Sequence, residues 1–155
     1  MLAAAREALA GRVDAPELLA VTVLTSMDAP QLHETGVERE PGDQVESLAR
    51  MGLAAGYRGF VCSAHEISRL RAVTGREGIL VIPGIRPAGS ETGDQKRVAT
   101  PAEALRQGAS FLVVGRPITQ AKDPAEAAEA MIREMAQAMG TACGKPGENA
   151  GPFST

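Results

Sequence analysis

The sequence predicts an α/β domain built on a parallel sheet, and two observations carry that expectation. Four short apolar runs, LLAVTVL (18–24), GFVCS (59–63), ILVIP (79–83) and SFLVVG (110–115), are near-continuous in Val, Leu and Ile. Strands covered on both faces read this way, whereas strands with one wet face alternate. Between the runs lie longer stretches with helical spacing, so the chain repeats as strand then helix. Repeating units of that kind give a parallel sheet with right-handed crossovers, either doubly wound or barrel-like.

Each element can be justified in turn. MLAAAREALAG (1–11) reads as a helix with no strand before it to pack upon, so the sequence looks cut from a larger design. After the first strand, the stretch from Met27 to Val45 is longer than a simple connection and predicts two short helices broken by EREPGD (38–43). Val45, Leu48 and Met51 recur every three positions and mark an apolar helical stripe; Ile67, Leu70 and Val73 do the same behind the second strand. Thr100-Pro101 and Asp123-Pro124 are N-cap and first-turn pairs, each leading into Ala/Glu-rich helix formers. Ala128, Met131, Ile132, Met135 and Met139 form a stripe expected to pack on the sheet. Residues 1–140 therefore make one domain, and TACGKPGENAGPFST (141–155), without periodicity, predicts a disordered tail.

Composition narrows the function. The 155 residues are 44% hydrophobic and carry a net charge of -3, with three Phe, one Tyr and no Trp, which argues against nucleic-acid binding. No apolar stretch approaches the roughly 18 residues of a membrane span, and Met1 opens no signal peptide. Cys62 and Cys143 lie far apart and form no Cys-x-x-Cys pair, which fits a reduced, cytoplasmic protein. Cys62, inside an apolar run, reads as a buried small hydrophobe. His33 and His65 lack metal-ligand spacing, and His65 is expected to start a helix.

In parallel α/β folds the functional loops leave the carboxyl ends of the strands. Here those ends read Thr25-Ser26-Met27, Ser63-Ala64-His65, Pro83-Gly84-Ile85-Arg86 and Gly115-Arg116-Pro117-Ile118-Thr119. Gly115-Arg116 is the arrangement expected of a phosphate site: glycine lets backbone N–H groups approach an anion, and guanidinium supplies a fixed fork of donors. Alone, the pair also fits a solvated or salt-bridged arginine. The segment behind the third run, PGIRPAGSETGDQKRVAT (83–100), is long and polar for a connection in so small a domain.

The blocks VTVLTSM (21–27), GFVCSAHE (59–66), PGIRPAGSETGDQKRVATPAEAL (83–105) and VVGRPITQAKDP (113–124) resemble the C-terminal half of bacterial orotidine 5'-phosphate decarboxylase, from Met1 to about Met139. The resemblance implies four parallel strands and helices from the C-terminal half of a TIM (β/α)8 barrel of the ribulose-phosphate-binding type. It implies a lyase of pyrimidine biosynthesis that converts orotidine 5'-phosphate to UMP and CO2 without metal or organic cofactor. Carried over by position, substrate contacts fall on Thr25 at the nucleotide and on Arg86, Gln95, Gly115 and Arg116 at the phosphate end. The loop from Arg86 to Thr100 resembles the family's phosphate lid, with Gly89 and Gly93 as hinges, whose remote contacts help stabilise the transition state.

One part of the family's pattern is missing. Its Asp-x-Lys-x-x-Asp array, with an upstream Asp and Lys, supplies the proton donor and the carboxylates that stress the departing group. The three lysines here are Lys96, Lys122 and Lys145. Asp94-Gln95-Lys96 begins like the motif, but position 99 is Ala and the segment lies within the lid. No catalytic residue is therefore assigned, and the chain alone is expected to be inactive. The expected partner is a second copy, in a homodimer, or a complementary N-terminal half. Two alternatives stand beside this reading: another phosphate-binding barrel enzyme, or a non-catalytic half-barrel that serves binding or assembly.

Overall fold

The four apolar runs form one parallel sheet in chain order, β1 (Leu19–Val21), β2 (Gly59–Val61), β3 (Ile79–Ile82) and β4 (Phe111–Leu112). The computed structural model describes residues 1–87 and 97–140. Consecutive parallel neighbours without a reversal of order are the topology of a β/α barrel wall. Strands β1 and β4 are the open edges. They are shorter than the runs at 18–24 and 110–115. The pairing nevertheless extends by single bonds, from Thr22 N–H to the Val61 carbonyl at 3.1 Å and from Val113 N–H to the Ile82 carbonyl at 2.8 Å.

Seven helices flank the sheet among the described residues: α1 (Leu2–Ala8), α2 (Ala29–Glu34), α3 (Pro41–Ala54), α4 (Ile67–Thr74), α5 (Pro101–Gln107), α6 (Arg116–Thr119) and α7 (Pro124–Gly140). The break expected at 38–43 falls earlier. Pro41 opens α3, since a proline in the first turn lacks only an N–H that would be unpaired there anyway. The buried line of α3 runs through Val45, Ala49 and Gly52, while Met51 is exposed. Spacing by three drifts off one face, and the core follows the i, i+4, i+7 line instead. The α7 stripe needs a similar correction: Met131 and Ala138 are buried, whereas Ile132 and Met139 are exposed. It packs mainly against α5 and α6. Both predicted caps form. Thr100 and Glu103 make a reciprocal capping box on α5, and Asp123 Oδ1 accepts from the Ala125 and Glu126 N–H groups at 3.0 Å each.

Side chains alternate across the sheet, so its two faces differ. Phe60, Leu80 and Ile82 are fully buried beneath the helices, and a Cβ on Gly52 of α3 would stand 2.6 Å from Phe60 Cε1. The opposite face carries the register row Val21, Val61, Val81 and Phe111. Val21 and Phe111 are 59% and 50% exposed on it. At the amino ends of the strands, Arg71 of α4 gathers backbone. Its guanidinium donates to the carbonyls of Gly108 (2.7 and 2.8 Å), Gly75 (2.9 Å) and Gly78 (2.6 Å), and to Ser110 Oγ (2.9 Å). Burial pushes this guanidinium down from its ordinary value. The loops into β3 and β4 are thereby tied together. No helix among the described residues is long and apolar enough to cross a membrane.

Candidate functional site

Among the described residues, the buried polar and charged side chains are Thr25, Ser63, Glu66, Arg86 and Arg97, and all of them lie at or beyond the carboxyl ends of β1 to β3. A polar side chain costs free energy to bury unless it is paired, so such a concentration marks a built site.

Ser63 follows β2 and caps a 3₁₀ turn, Ala64–Glu66, that carries His65 and leads into α4. The Ser63 N–H donates to Glu66 Oε2 at 3.1 Å and the Ser63 hydroxyl donates to the same oxygen. This is the reciprocal box that a Ser-x-x-Glu spacing makes. It leaves Glu66 Oε1 for Arg97, whose Nη1 donates to it as a buried ion pair. Arg97 Nη2 reaches across to the end of β1, donating to the carbonyls of Leu24 at 2.9 Å and Val23 at 3.3 Å.

The segment behind Arg97 returns to β3. Ile85 pairs in parallel with Ala99, and the Arg86 N–H donates to the Ala99 carbonyl at 3.0 Å. Gly84 makes this path possible, because its φ of +75° is a conformation that side-chain-bearing residues rarely adopt. Arg86 Nη1 donates to the Ile85 carbonyl at 2.8 Å. Thr25, Ser26, Cys62 and Pro83 share the lining of a cavity of about 180 Å³ at these strand ends. Cys62 is buried and unpaired with any other sulfur; burial first, and Glu66 second, push its thiol up to about 12, so it stays a neutral hydrophobe.

Of the residues singled out in the sequence, Thr25 and Arg86 are buried beside this network, Thr25 directly after the Leu24 carbonyl that Arg97 holds and Arg86 bonded through its N–H to Ala99. Gly115 and Arg116 are exposed at the carboxyl end of β4, where Gly115 caps α6 and Arg116 is its first residue. A Cβ on Gly115 would meet nothing within 4 Å, so space beside that backbone is open. Three strand spacings separate β1 from β4, about 14 Å along the sheet. Gln95, Gly89, Gly93 and Lys96 lie outside the described residues, as do Cys143, Lys145 and the predicted tail 141–155. Glu66 and Arg97 were not singled out as site residues. The Ser-x-x-Glu spacing signals Glu66 as a cap, but its pairing with Arg97 lies 31 positions away and has no local signal. No cluster of three or more His, Cys, Asp or Glu occurs among the described residues.

A parallel sheet in sequential order, with its buried polar groups gathered at the carboxyl strand ends, defines a β/α-barrel protein of the kind that binds ligands at that face. The chain belongs to the orotidine 5'-phosphate decarboxylase / HUMPS family, whose family model matches residues 1–131. It is 53% identical over 142 residues to orotidine 5'-phosphate decarboxylase of Gluconobacter oxydans (strain 621H), covering 89% of this chain and 60% of that one. It is 52% identical over 133 residues to the enzyme of the same name from Pseudoalteromonas atlantica (strain T6c / ATCC BAA-1087), covering 84% and 57%. The crystal structure of orotidine 5'-phosphate decarboxylase from Lactobacillus acidophilus superposes with a TM-score of 0.70 at 38% identity, over 87% of this chain and 58% of that one. The chain thus spans less than two thirds of the length of these relatives.

Proposed function

We propose that this chain is the phosphate-binding part of an orotidine 5'-phosphate decarboxylase, acting on orotidine 5'-phosphate and holding its product UMP. The observation that supports this best is the burial of Thr25 and Arg86 at the carboxyl strand ends beside the polar network, within a stretch that matches the family. Thr25 is assigned to the nucleotide; Arg86, Gln95, Gly115 and Arg116 to the phosphate. Three guanidinium and amide side chains with one open backbone position suit a dianion, since charge-assisted, forked donors recognise phosphate oxygens.

The chain alone lacks the decarboxylating machinery. Of its three lysines, Lys122 is exposed beyond β4, and the other two sit outside the motif that would place a proton donor. Binding contacts alone do not replace a positioned acid and carboxylate array. Chemistry therefore needs a complementary N-terminal half, and the open row Val21, Val61, Val81 and Phe111, flanked by two free edges, is the surface such a half would cover. A homodimer is the other occupant this face admits. The free, buried Cys62 supports a reduced compartment, the cytoplasm.

Two measurements test the reading. Calorimetry should show UMP binding better than uridine, and Arg116→Ala should weaken UMP about tenfold or more, since a charge-assisted contact contributes roughly 1.5–3 kcal/mol. Equal binding of UMP and uridine contradicts the phosphate assignment. The chain mixed with the N-terminal half of a relative should turn over orotidine 5'-phosphate, and neither half should do so alone. Turnover by the isolated chain, abolished by Arg116→Ala, overturns the claim that the machinery is missing.

A further inference from the structure

Resting on the nucleotide reading above, we propose that Arg97 is a positioning residue: anchored by Glu66, it holds the end of β1 so that Thr25 and Arg86 meet one nucleotide together.

Its contacts are those of a clamp rather than of a ligand-binding group. One nitrogen is committed to Glu66, which Ser63 in turn holds at the end of β2. Another nitrogen is committed to the carbonyls of Val23 and Leu24, immediately before Thr25. Two residues later the same segment is bonded to the β3 extension at Ile85 and Arg86. The Arg97 side chain thus ties the end of β1 to the end of β2, and the backbone two residues on ties in β3, so that the two strand ends with a proposed contact are held by one short segment. Both charges of the pair are more than nine-tenths buried, which leaves little room for the geometry to relax. A planar guanidinium spreads its donors over separate nitrogens in a fixed fork, so it reaches a carboxylate on one side and two carbonyls on another; an ammonium concentrates its three donors on one nitrogen.

The test compares UMP binding, amide NMR spectra and thermal unfolding for the wild-type chain and for Arg97→Ala, Arg97→Lys and Thr25→Ala. In folded Arg97→Ala, the UMP dissociation constant should rise fivefold or more. The amide signals of Thr25 and Arg86 should shift even without ligand. Millimolar guanidinium should return both readouts toward wild type, which a purely structural lesion would not allow. Thr25→Ala should weaken UMP in the wild-type background and change little in Arg97→Ala, because the threonine is already misplaced there. If Arg97→Ala does not fold, Arg97→Lys carries the same comparison, with an expected weakening of threefold or more. Wild-type affinity and unmoved Thr25 and Arg86 amides in a folded Arg97 variant overturn the inference, while Arg116→Ala still weakening UMP shows that the nucleotide reading stands. A wild-type chain that binds UMP and uridine alike overturns both.

Discussion

Two arginines hold the opposite ends of this sheet, and they are built differently. Arg71, at the amino ends of β3 and β4, meets only neutral acceptors among the described residues: three glycine carbonyls, the Arg76 carbonyl at 3.3 Å and a serine hydroxyl. Arg97, at the carboxyl ends, is paired with a buried carboxylate and two strand-end carbonyls, and its Nε has no acceptor among the described residues. A neutral staple can fray and be rehydrated. A buried ion pair cannot lose one partner without stranding the other. The amino end is therefore fastened for stability, while the carboxyl end, where parallel α/β proteins place their ligands, uses a costlier arrangement that fixes geometry.

The largest expected effect comes from breaking that pair. Arg97→Met should lower unfolding free energy by about 3–5 kcal/mol, because Glu66 is left as an uncompensated buried charge. Adding Glu66→Gln should recover more than half of the loss in urea titrations, since the amide oxygen still caps at Ser63 and the charge is gone. The double variant should regain stability without regaining UMP affinity. Recovery of both would erase the distinction between the two ends.

Arg71→Met should cost less, about 2–3 kcal/mol, because the released carbonyls lie on partly exposed loops where water replaces the guanidinium. Its preference for UMP over uridine should match wild type. A larger loss than Arg97→Met, measured under the same conditions, would reverse the ranking.

Cys62 senses both ends, since Arg97 and Arg71 each pull its thiol down against the stronger lift from burial and Glu66. Its folded value rises from 9.0 to about 12, so the folded chain keeps the proton while the unfolded chain releases it. The stability it contributes is complete below pH 9 and falls as pH rises toward 12. In a Cys143→Ser background, Cys62→Ala should flatten this alkaline limb, which amounts to roughly 2 kcal/mol by about pH 10.5. Thiol reagents at neutral pH should label native Cys62 only through unfolding, and an immediate reaction would contradict its burial.

The smallest effect tests how the segment behind Arg97 enters α5. The Thr100 N–H, 2.9 Å from Glu103 Oε2, and then the Thr100 hydroxyl hold the Glu103 carboxyl below its usual range. Its contribution is present above the ordinary carboxylate value and is lost as pH falls through the depressed one. Glu103 is largely exposed, so Glu103→Gln should remove only a few tenths of a kcal/mol at neutral pH. Wild type and variant should converge in acid, and a persistent difference there would point to packing instead of charge.

The sequence by itself determined the four strands, their parallel pairing and the caps at Thr100 and Asp123. Apolar runs and capping spacings are local properties, legible from neighbours within a few positions. The family resemblance assigned roles to Thr25, Arg86, Gln95, Gly115 and Arg116, of which Thr25 and Arg86 are buried at the strand ends and Arg116 stands exposed at β4. Only the tertiary structure decided which faces were buried. The α3 line is Val45, Ala49 and Gly52 because Phe60 and Ala20 beneath it leave no room for a side chain at 52. The α7 stripe turned toward α5 because that helix was its main neighbour. The Glu66–Arg97 pair was decided in the same way. Its members are far apart in the chain and meet only because β1, β2 and β3 end side by side, so no spacing rule could have joined them.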